Sequence, residues 1–290
     1  MKETEKPIVY FEEDEEIINI CYDNVFKAVF ARDTQNSMIA LADLISTLIC
    51  REVTVVTINA NEPATDSLKD RQIRYDINCR ADTGELINVE MSLNPAPFES
   101  VRLEYYAGKL FTSQGIKGTD KGYDDLKQTY QITILVNGRS FDDEEFYHNF
   151  EYYDPDRGIS LNGRSRIITL ELSKLKDIVE KPVGEMSPQE HWGIFFKYLT
   201  DISKRHKINR ILEIEEGIAM ASEILKSISK DEKERFRLMS EEKYQLDIQN
   251  ELTHAKREGR REAEQKMIDL LKSGKSPEEI LETLERRNEN

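Results

Sequence analysis

The feature that most constrains the fold is a pair of alternating segments, "QIRYDINCR" and "LINVEMSL", joined by the turn "DTG". Side chains of a β-strand point alternately to opposite faces, so each segment predicts a strand with one apolar and one polar face. Gly84 stands where a three-residue hairpin turn needs a left-handed backbone. If this turn closes the hairpin without a bulge, Ala81 pairs with Glu85 and Asp76 lies opposite Glu90.

The facing carboxylates of Asp76 and Glu90 have two interpretations. Like charges directly opposite each other destabilise a strand pair, and a divalent cation between them removes that cost. Oxygen ligands of this kind suit Mg²⁺ or Mn²⁺. The alternative is a solvated strand face on which Arg74 and Arg80 neutralise the acids. Spacing alone leaves both interpretations open.

The segments around the hairpin predict an α/β fold. Residues 20–50 have apolar side chains at helical spacing and predict two helices, broken at "ARDTQNS", where Asp33 or Asn36 is the candidate cap. "VTVVTIN" and "SRIITLELSKL" predict strands, "TYQITILVNG" predicts a central strand with a nearly continuous apolar run, and "ESVRLEYYAGKLFTSQG" predicts a helix. After Pro188 the pattern is helical, with polar breaks near 204–209 and 228–232.

Pattern and charge divide the chain into regions. They are a frayed acidic lead (1–19), an α/β domain (20–180), a helical region packing on that domain (181–240) and charged C-terminal helices (241–290). The C-terminal helices carry a thin apolar stripe, which is typical of a coiled coil or of packing on another chain. We therefore expect a homodimer or higher homo-oligomer through them. The alternative is that they fold back on the core.

Charge and composition restrict the partners and the compartment. The net charge is −15, of which residues 20–140 contribute −3. Such acidity counts against a tight nonspecific DNA binder, although a nearly neutral segment can still present a basic groove. No apolar run approaches membrane-spanning length, the N-terminal residues lack the apolar stretch of a secretory signal, and the three cysteines form no CxxC pair. We expect a cytoplasmic protein without a membrane partner.

Several segments occur together in the order and spacing of one known family: "YDNVFKAVF", "YDINC", "INVEMS", "RLEYYAGKLF", "GYDDLKQTYQITIL" and "RIITLELSKL". They resemble the Rpn family of recombination-promoting nucleases and transposases, within the PD-(D/E)XK nuclease superfamily. The resemblance covers about Ile20 to Lys176 and includes the charged tail. It implies a restriction-endonuclease-like core, in which helices flank a central mixed sheet, with a helical C-terminal extension. It also implies metal-dependent cleavage of DNA phosphodiesters.

The resemblance implies roles for particular residues. Asp76 and Glu90 correspond to the metal-binding acids of the hairpin, and the backbone carbonyl of Met91 corresponds to a further ligand. Asp23 matches an acid on the first helix that contributes directly or through water. The ion, Mg²⁺ or Mn²⁺, would polarise the scissile phosphate and lower the pKa of a bound water. For Asp23 the alternative is a favourable interaction with the helix dipole.

Ser92 departs from the family pattern. The family has lysine or glutamine two residues after the glutamate, where the side chain contacts the nucleophilic water or the phosphate. A serine hydroxyl can donate a hydrogen bond, but it is uncharged and shorter. Lys27, one helical turn after Asp23, and Lys109, on the helix after the hairpin, are the candidate replacements. The alternative for both lysines is a solvent-facing position.

Four residues are candidates for contact with DNA. Arg102 and Tyr105 lie on the helix after the hairpin, and Lys204 and Arg205 begin the densest basic run, "KRHKINR". The alternatives are a core position for a tyrosine in "EYY" and a solvated helix end for the basic run.

Three functions are compatible with the sequence. The first is a metal-dependent DNA endonuclease linked to recombination or mobile elements. The second is a nuclease fold with weakened or lost activity that acts as an oligomeric binding or scaffold protein, for which Ser92 would be the sign of decay. The third is a metal-binding regulator built around the helical tail. We expect the first, because Asp23, Asp76 and Glu90 are all present.

Overall fold

A six-stranded mixed sheet forms the centre of the structure, a computed structural model that describes residues 8–59, 74–115 and 122–272. The strands of the sheet and of a small separate hairpin are β1 (Val55–Ile58), β2 (Ile77–Ala81), β3 (Leu86–Ser92), β4 (Thr129–Leu135), β5 (Tyr147–Phe150), β6 (Tyr153–Asp154), β7 (Ile159–Ser160) and β8 (Ser165–Glu171). The sheet order is β1-β2-β3-β4-β8-β5, and β6 pairs with β7. Strands β3, β4 and β8 are parallel, whereas β1, β2 and β5 pair antiparallel to their neighbours. The predicted α/β core with a central mixed sheet is confirmed.

Helices cover both faces of this sheet. The α-helices of the described residues are α1 (Asp23–Phe30), α2 (Gln35–Ile49), α3 (Glu99–Thr112), α4 (Pro188–Tyr198), α5 (Arg205–Leu212), α6 (Glu216–Lys230) and α7 (Glu232–Lys272). The apolar face of the sheet packs in one core with the apolar sides of α1, α2, α4 and α6. Helix α3 lies across β3, β4 and β8 on the other face. Within the described ranges, no helix has the length and apolar character to cross a bilayer.

Local signals set the limits of the helices on the apolar face. Thr34 caps the N-terminus of α2, because its hydroxyl accepts the Ser37 N–H at 3.3 Å. The predicted caps Asp33 and Asn36 were therefore wrong. Helix α4 begins with a capping box between Ser187 and Glu190. The predicted break near 204–209 was also wrong, because α5 runs through it. Its polar residues share one side of an amphipathic helix while Ile208, Ile211 and Leu212 are buried.

Strand β4 is a buried central strand, as predicted, but its buried side chains are not continuously apolar. Thr129, Gln131 and Thr133 alternate with Ile132 and Ile134, and all five side chains are buried. The polar side chains share the face that α3 covers, because they lie in register with the polar positions of β3. The strand therefore contributes apolar side chains to one core and polar side chains to the opposite face.

The N-terminal segment packs on the core through side chains from Phe11 onward, in contrast to the prediction of a frayed lead over 1–19; residues 1–7 lie outside the described ranges. Phe11 is 2% exposed and Ile18 is 5% exposed. The Asn209 side chain accepts the Phe11 N–H at 3.0 Å and donates to the Phe11 carbonyl at 2.9 Å. Glu15 forms an ion pair with Lys226 at 3.0 Å. This acidic segment therefore neutralises basic residues of α6.

Replacing Asn209 with alanine is expected to lower the free energy of unfolding by about 2 kcal/mol, because two hydrogen bonds to the Phe11 backbone are lost at a partly buried position. Chemical denaturation followed by circular dichroism measures this change. Arg210→Ala is the control, since that side chain is 60% exposed. An Asn209 variant as stable as the Arg210 variant would contradict the anchoring role.

The long helix α7 spans the boundary between two structural units, the first ending at Leu238 and the second beginning at Met239. Several apolar side chains of its second part are exposed, namely those of Met239, Tyr244, Met267 and Ile268. Residues 273–290 of the predicted C-terminal region, and the side chains of Leu246, Leu252, Leu270 and Leu271 in its apolar stripe, lie outside what the structure describes. Oligomerisation through this helix stays a prediction.

Candidate active site

The hairpin register is the one that the turn predicts. Ile77 pairs with Val89 and Asn78 with Asn88 across β2 and β3. The Ala81 N–H donates to the Glu85 carbonyl at 3.0 Å, which closes the turn. Asp76 directly precedes β2, so the same register places it across from Glu90. The irregularity in this part of the sheet lies between β1 and β2 instead.

Glu90 is buried, which excludes a solvated strand face. Every residue of β3 is buried, and Glu90 itself is 1% exposed. The cause is the position of β3, which has a strand on each side, α3 over its polar face and the main core under its apolar face. Arg74 and Arg80, the predicted neutralising residues, are both exposed. The charge of Glu90 must therefore be balanced by other groups.

Helix α1 brings two charged residues to Asp76. The Lys27 ammonium lies 3.0 Å from Asp76 Oδ1 and 2.7 Å from Asp23 Oδ1. Asp23 and Lys27 are one turn apart and therefore share a side of the helix. The second Asp76 oxygen, Oδ2, accepts the Met91 N–H at 3.0 Å. The aspartate is thus fixed between α1 and the backbone of β3.

Helix α3 brings a guanidinium to Glu90. Arg102 Nη2 lies 2.8 Å from Glu90 Oε2, and Arg102 Nη1 lies 2.7 Å from Glu99 Oε1. The guanidinium carbon is 4.9 Å from the centre of the Tyr106 ring. Glu90 Oε1 accepts a hydrogen bond from the Asn88 side chain at 3.1 Å. Both oxygens of Glu90 are therefore occupied by donors.

Burial and mutual repulsion shift the pKa values of both acids upward. Burial raises the pKa of Asp76 to about 6, with the charge of Asp23 adding to the rise and Lys27 opposing it. Burial raises the pKa of Glu90 to about 8, with the charge of Asp76 adding and Arg102 opposing. The basic neighbours thus do not fully compensate the carboxylates. A buried and a partly buried carboxylate side by side form a donor set that fits a divalent cation.

A row of buried amides and hydroxyls supports Glu90 from below α3. The Asn88 side chain donates to Gln131 Oε1 at 2.8 Å as well as to Glu90, and the Gln131 amide donates to Thr133 at 3.1 Å. Thr133 is the register partner of Glu90 on β4. We did not predict this row, although the alternation of "NVE" and "QIT" carries its signal. It fixes the carboxylate in one orientation.

The comparison with known families matches residues 20–255 to PD-(D/E)XK nuclease family transposases. The chain belongs to this family. The match extends from the residues before α1 into α7 and confirms the resemblance that the sequence motifs carry. No curated protein and no solved structure matches the chain significantly. Membership in this family supports a nuclease-like role for the protein.

The other predicted site residues of this PD-(D/E)XK protein differ in whether they contact Asp76 or Glu90. Lys27 contacts Asp76, whereas Lys109 lies 5.8 Å from the ring of Tyr105 and has no ion pair to either acid among the described residues. Ser92 ends β3, two residues after Glu90 and therefore on the same face, and is 8% exposed. Met91 contributes its N–H to Asp76. A metal-binding role for its carbonyl stays a prediction.

The four residues predicted to contact DNA lie in different surroundings. Arg102 is not a free groove residue but an ion-pair partner of Glu90. Tyr105 is 47% exposed on α3, and its contact with DNA stays a prediction. The prediction was wrong for Arg205, which is 3% exposed, donates to the Glu15 carbonyl at 3.0 Å and lies over the Phe11 ring. Lys204 forms an ion pair with Glu180 at 2.7 Å.

Part of the basic run "KRHKINR" lies beneath the packed N-terminal segment, because Arg205 and Asn209 both bind that segment. The basic residues of this run therefore do not form a continuous basic surface that could bind phosphates. His206 and Arg210 are the exposed residues of the run, and Arg210 forms an ion pair with Glu213, just after its own helix, at 3.3 Å.

A second group of candidate metal ligands lies two strands away from Glu90, around the carboxyl end of β8. Ligand atoms of Asp143, His148 and Glu171 lie within 4.8 Å of one another. The buried ammonium of Lys174 is 2.8 Å from Asp143, contacts Glu171 and donates to the Glu145 carbonyl at 2.9 Å. Lys174 therefore supplies a cation inside this group. The cluster joins the loop after β4 to β8 through an internal charge.

Asp143→Asn is expected to leave the affinity for Mn²⁺ unchanged within about twofold, because Lys174 supplies the cation in its cluster. Asp76→Asn is expected to lower that affinity by at least about tenfold, since it removes one carboxylate ligand. Isothermal titration calorimetry with Mn²⁺ measures both affinities. The reverse ranking of the two variants would assign the metal site to the Asp143 cluster instead.

Proposed function

We propose that the protein is a divalent-metal-dependent DNA endonuclease, linked to DNA recombination or mobile elements. The observation that supports this most directly is the burial of Glu90 opposite Asp76 in a chain of a nuclease family. Burying two like charges side by side is costly unless a cation compensates them. The family supplies a reason for such a pair, and burial together with mutual repulsion raises the pKa of both carboxyl groups.

In this proposal Asp76 and Glu90 hold Mg²⁺ or Mn²⁺, with Asp23 and the Met91 carbonyl as further oxygen ligands. The bound ion would polarise the scissile phosphate and lower the pKa of a coordinated water. Lys27, whose ammonium lies 3.0 Å from Asp76, takes the place of the motif lysine and stabilises negative charge on the phosphate. The Ser92 hydroxyl supplies a hydrogen bond on the same face. Asn88 and Gln131 keep Glu90 oriented.

The proposal extends to assembly and compartment. Exposed apolar side chains on α7 support a homo-oligomer, which would bring two active sites to the two strands of DNA. Free thiols at Cys21, Cys50 and Cys79 support a reducing, cytoplasmic environment.

A second candidate function is a weakened or inactive nuclease fold that acts as an oligomeric binding or scaffold protein. The observation that favours it is Ser92, which brings no positive charge to the position where the family has lysine or glutamine. This candidate and the endonuclease share the fold and the acid pair. They differ in whether Lys27 supplies the positive charge that Ser92 lacks.

Cleavage of supercoiled plasmid tests the proposal. We expect nicking or linearisation in Mg²⁺ and in Mn²⁺, none in EDTA, and none by Asp76→Asn in either metal. Equal traces of cleavage by wild type and variant would indicate a contaminating nuclease. If plasmid, linear duplex and single-stranded DNA all stay intact with both metals, catalysis is rejected in favour of the scaffold.

A further inference from the structure

Arg102, like Lys27, is held by two carboxylates from different parts of the chain. Nη2 binds Glu90 on β3 at 2.8 Å, whereas Nη1 binds Glu99 on its own helix at 2.7 Å. Its guanidinium also lies over Tyr106, one turn further along α3. Two of its three contacts therefore belong to α3 and do not depend on Glu90.

Glu99 is built as an anchor for this arginine. Its side chain is 3% exposed, and its second oxygen accepts the Ala96 N–H at 3.1 Å. A buried carboxylate needs a charged partner, so Glu99 retains Nη1 of Arg102 whatever occupies Glu90. The Arg102 side chain is 40% exposed, so the guanidinium also reaches solvent beside the acid pair.

Acidic side chains outnumber basic ones around Asp76 and Glu90. Asp23, Asp76, Glu90 and Glu99 are opposed by two basic side chains, those of Lys27 and Arg102. With all four acids ionised the site carries a net charge of −2, which repels phosphate. A divalent cation at Glu90 neutralises that charge and competes directly with Arg102 Nη2 for the carboxylate.

We propose that Arg102 binds a phosphate of the nucleic acid once a divalent cation occupies Glu90. The cation displaces Arg102 Nη2 from Glu90, and this nitrogen then donates to a phosphate oxygen. Glu99 and Tyr106 keep the guanidinium beside the site throughout. This inference rests on the proposed metal site. The planar guanidinium presents several donors in fixed directions, which allows one edge to stay on Glu99 while the other binds a phosphate oxygen. Metal binding and substrate binding are thereby coupled through one side chain.

The test measures the affinity for a 20-base-pair DNA duplex by fluorescence anisotropy at constant ionic strength, in EDTA and in Ca²⁺. Ca²⁺ is the probe because it binds carboxylate oxygens with flexible geometry. Wild-type protein is expected to bind the duplex at least about tenfold more tightly in Ca²⁺, and Arg102→Gln is expected to lose most of that gain. Arg80→Gln is the control, because it removes the same charge from the exposed turn end of the hairpin.

Calorimetric titration of Ca²⁺ on the same proteins separates the inference from the metal site itself. Arg102→Gln is expected to bind Ca²⁺, since the carboxylates remain, and Glu90→Gln is expected to bind it at least about tenfold more weakly. Absence of Ca²⁺ binding by wild type would overturn both the metal site and the inference. If Arg102→Gln binds Ca²⁺ and its affinity for the duplex rises in Ca²⁺ as much as that of the wild type, the inference is overturned but the metal site is not.

Two further variants cover the case in which Arg102→Gln does not fold. Arg102→Lys retains the charge but cannot hold Glu99 and a phosphate with separate edges, so it is expected to reduce the gain several-fold. Glu99→Gln weakens the anchor and is expected to reduce the gain while Ca²⁺ still binds. A full metal-dependent gain in both variants would overturn the role of Arg102.

Discussion

Glu90→Gln is expected to lower the single-turnover rate of Mg²⁺-dependent DNA cleavage by on the order of a thousandfold. Glutamine has nearly the same shape but lacks the charge that holds a divalent cation. Asn88 can still donate to the amide oxygen, and Arg102 retains Glu99, so the fold is expected to persist. Quench-flow or gel-based cleavage under excess enzyme measures the rate.

The control for this variant is Glu104→Gln, which makes the same change at an exposed position of α3. Its cleavage rate is expected to stay within about threefold of wild type, as for other surface substitutions. A Glu90 variant that cleaves as fast as the Glu104 variant would show that the buried pair is structural.

Lys27→Met is expected to lower the cleavage rate at saturating metal by about a hundredfold, the usual cost of losing one electrostatic contact to a transition state. Lys27 lies against Asp76, the position from which a lysine can substitute for the side chain that Ser92 lacks. Methionine retains most of the apolar stem, so the change is confined largely to the charge. The same cleavage assay, with metal varied, distinguishes a lower rate from weaker metal binding.

Lys109→Met is the matched variant, because it removes the other candidate lysine from the helix after the hairpin. The nearest contact described for its ammonium is the Tyr105 ring, so we expect a cleavage rate within about threefold of wild type. A large loss at Lys109 with none at Lys27 would assign the lysine role to α3 rather than α1.

The sequence was informative wherever the determining contacts are local. The hairpin register follows from one turn and from alternation, and the joint position of Asp23 and Lys27 follows from helical spacing. The acid pair and its lysine could therefore be predicted. The pairing of Arg102 with Glu90 could not, because it depends on the path of α3 across the sheet.

Burial was the property that local patterns missed. Strand β4 pairs in parallel with β3 across an interval of about forty residues, and only that pairing places Gln131 beside Asn88. Arg205 is buried because a segment nearly two hundred residues earlier in the chain lies over it. In both cases a polar side chain that looks solvent-facing in the sequence is covered by a distant part of the chain.

The packing of Phe11 and Ile18 also decides where an expressed fragment can begin. A fragment cut at residue 20, the first residue of the family match, would lose both side chains and leave their apolar contact surface open to water. It would also leave Lys226 without Glu15 and Arg205 without its backbone acceptor. Such a fragment is expected to aggregate, whereas one that begins at residue 8 retains these contacts. The boundary of family similarity is therefore not the boundary of the foldable unit.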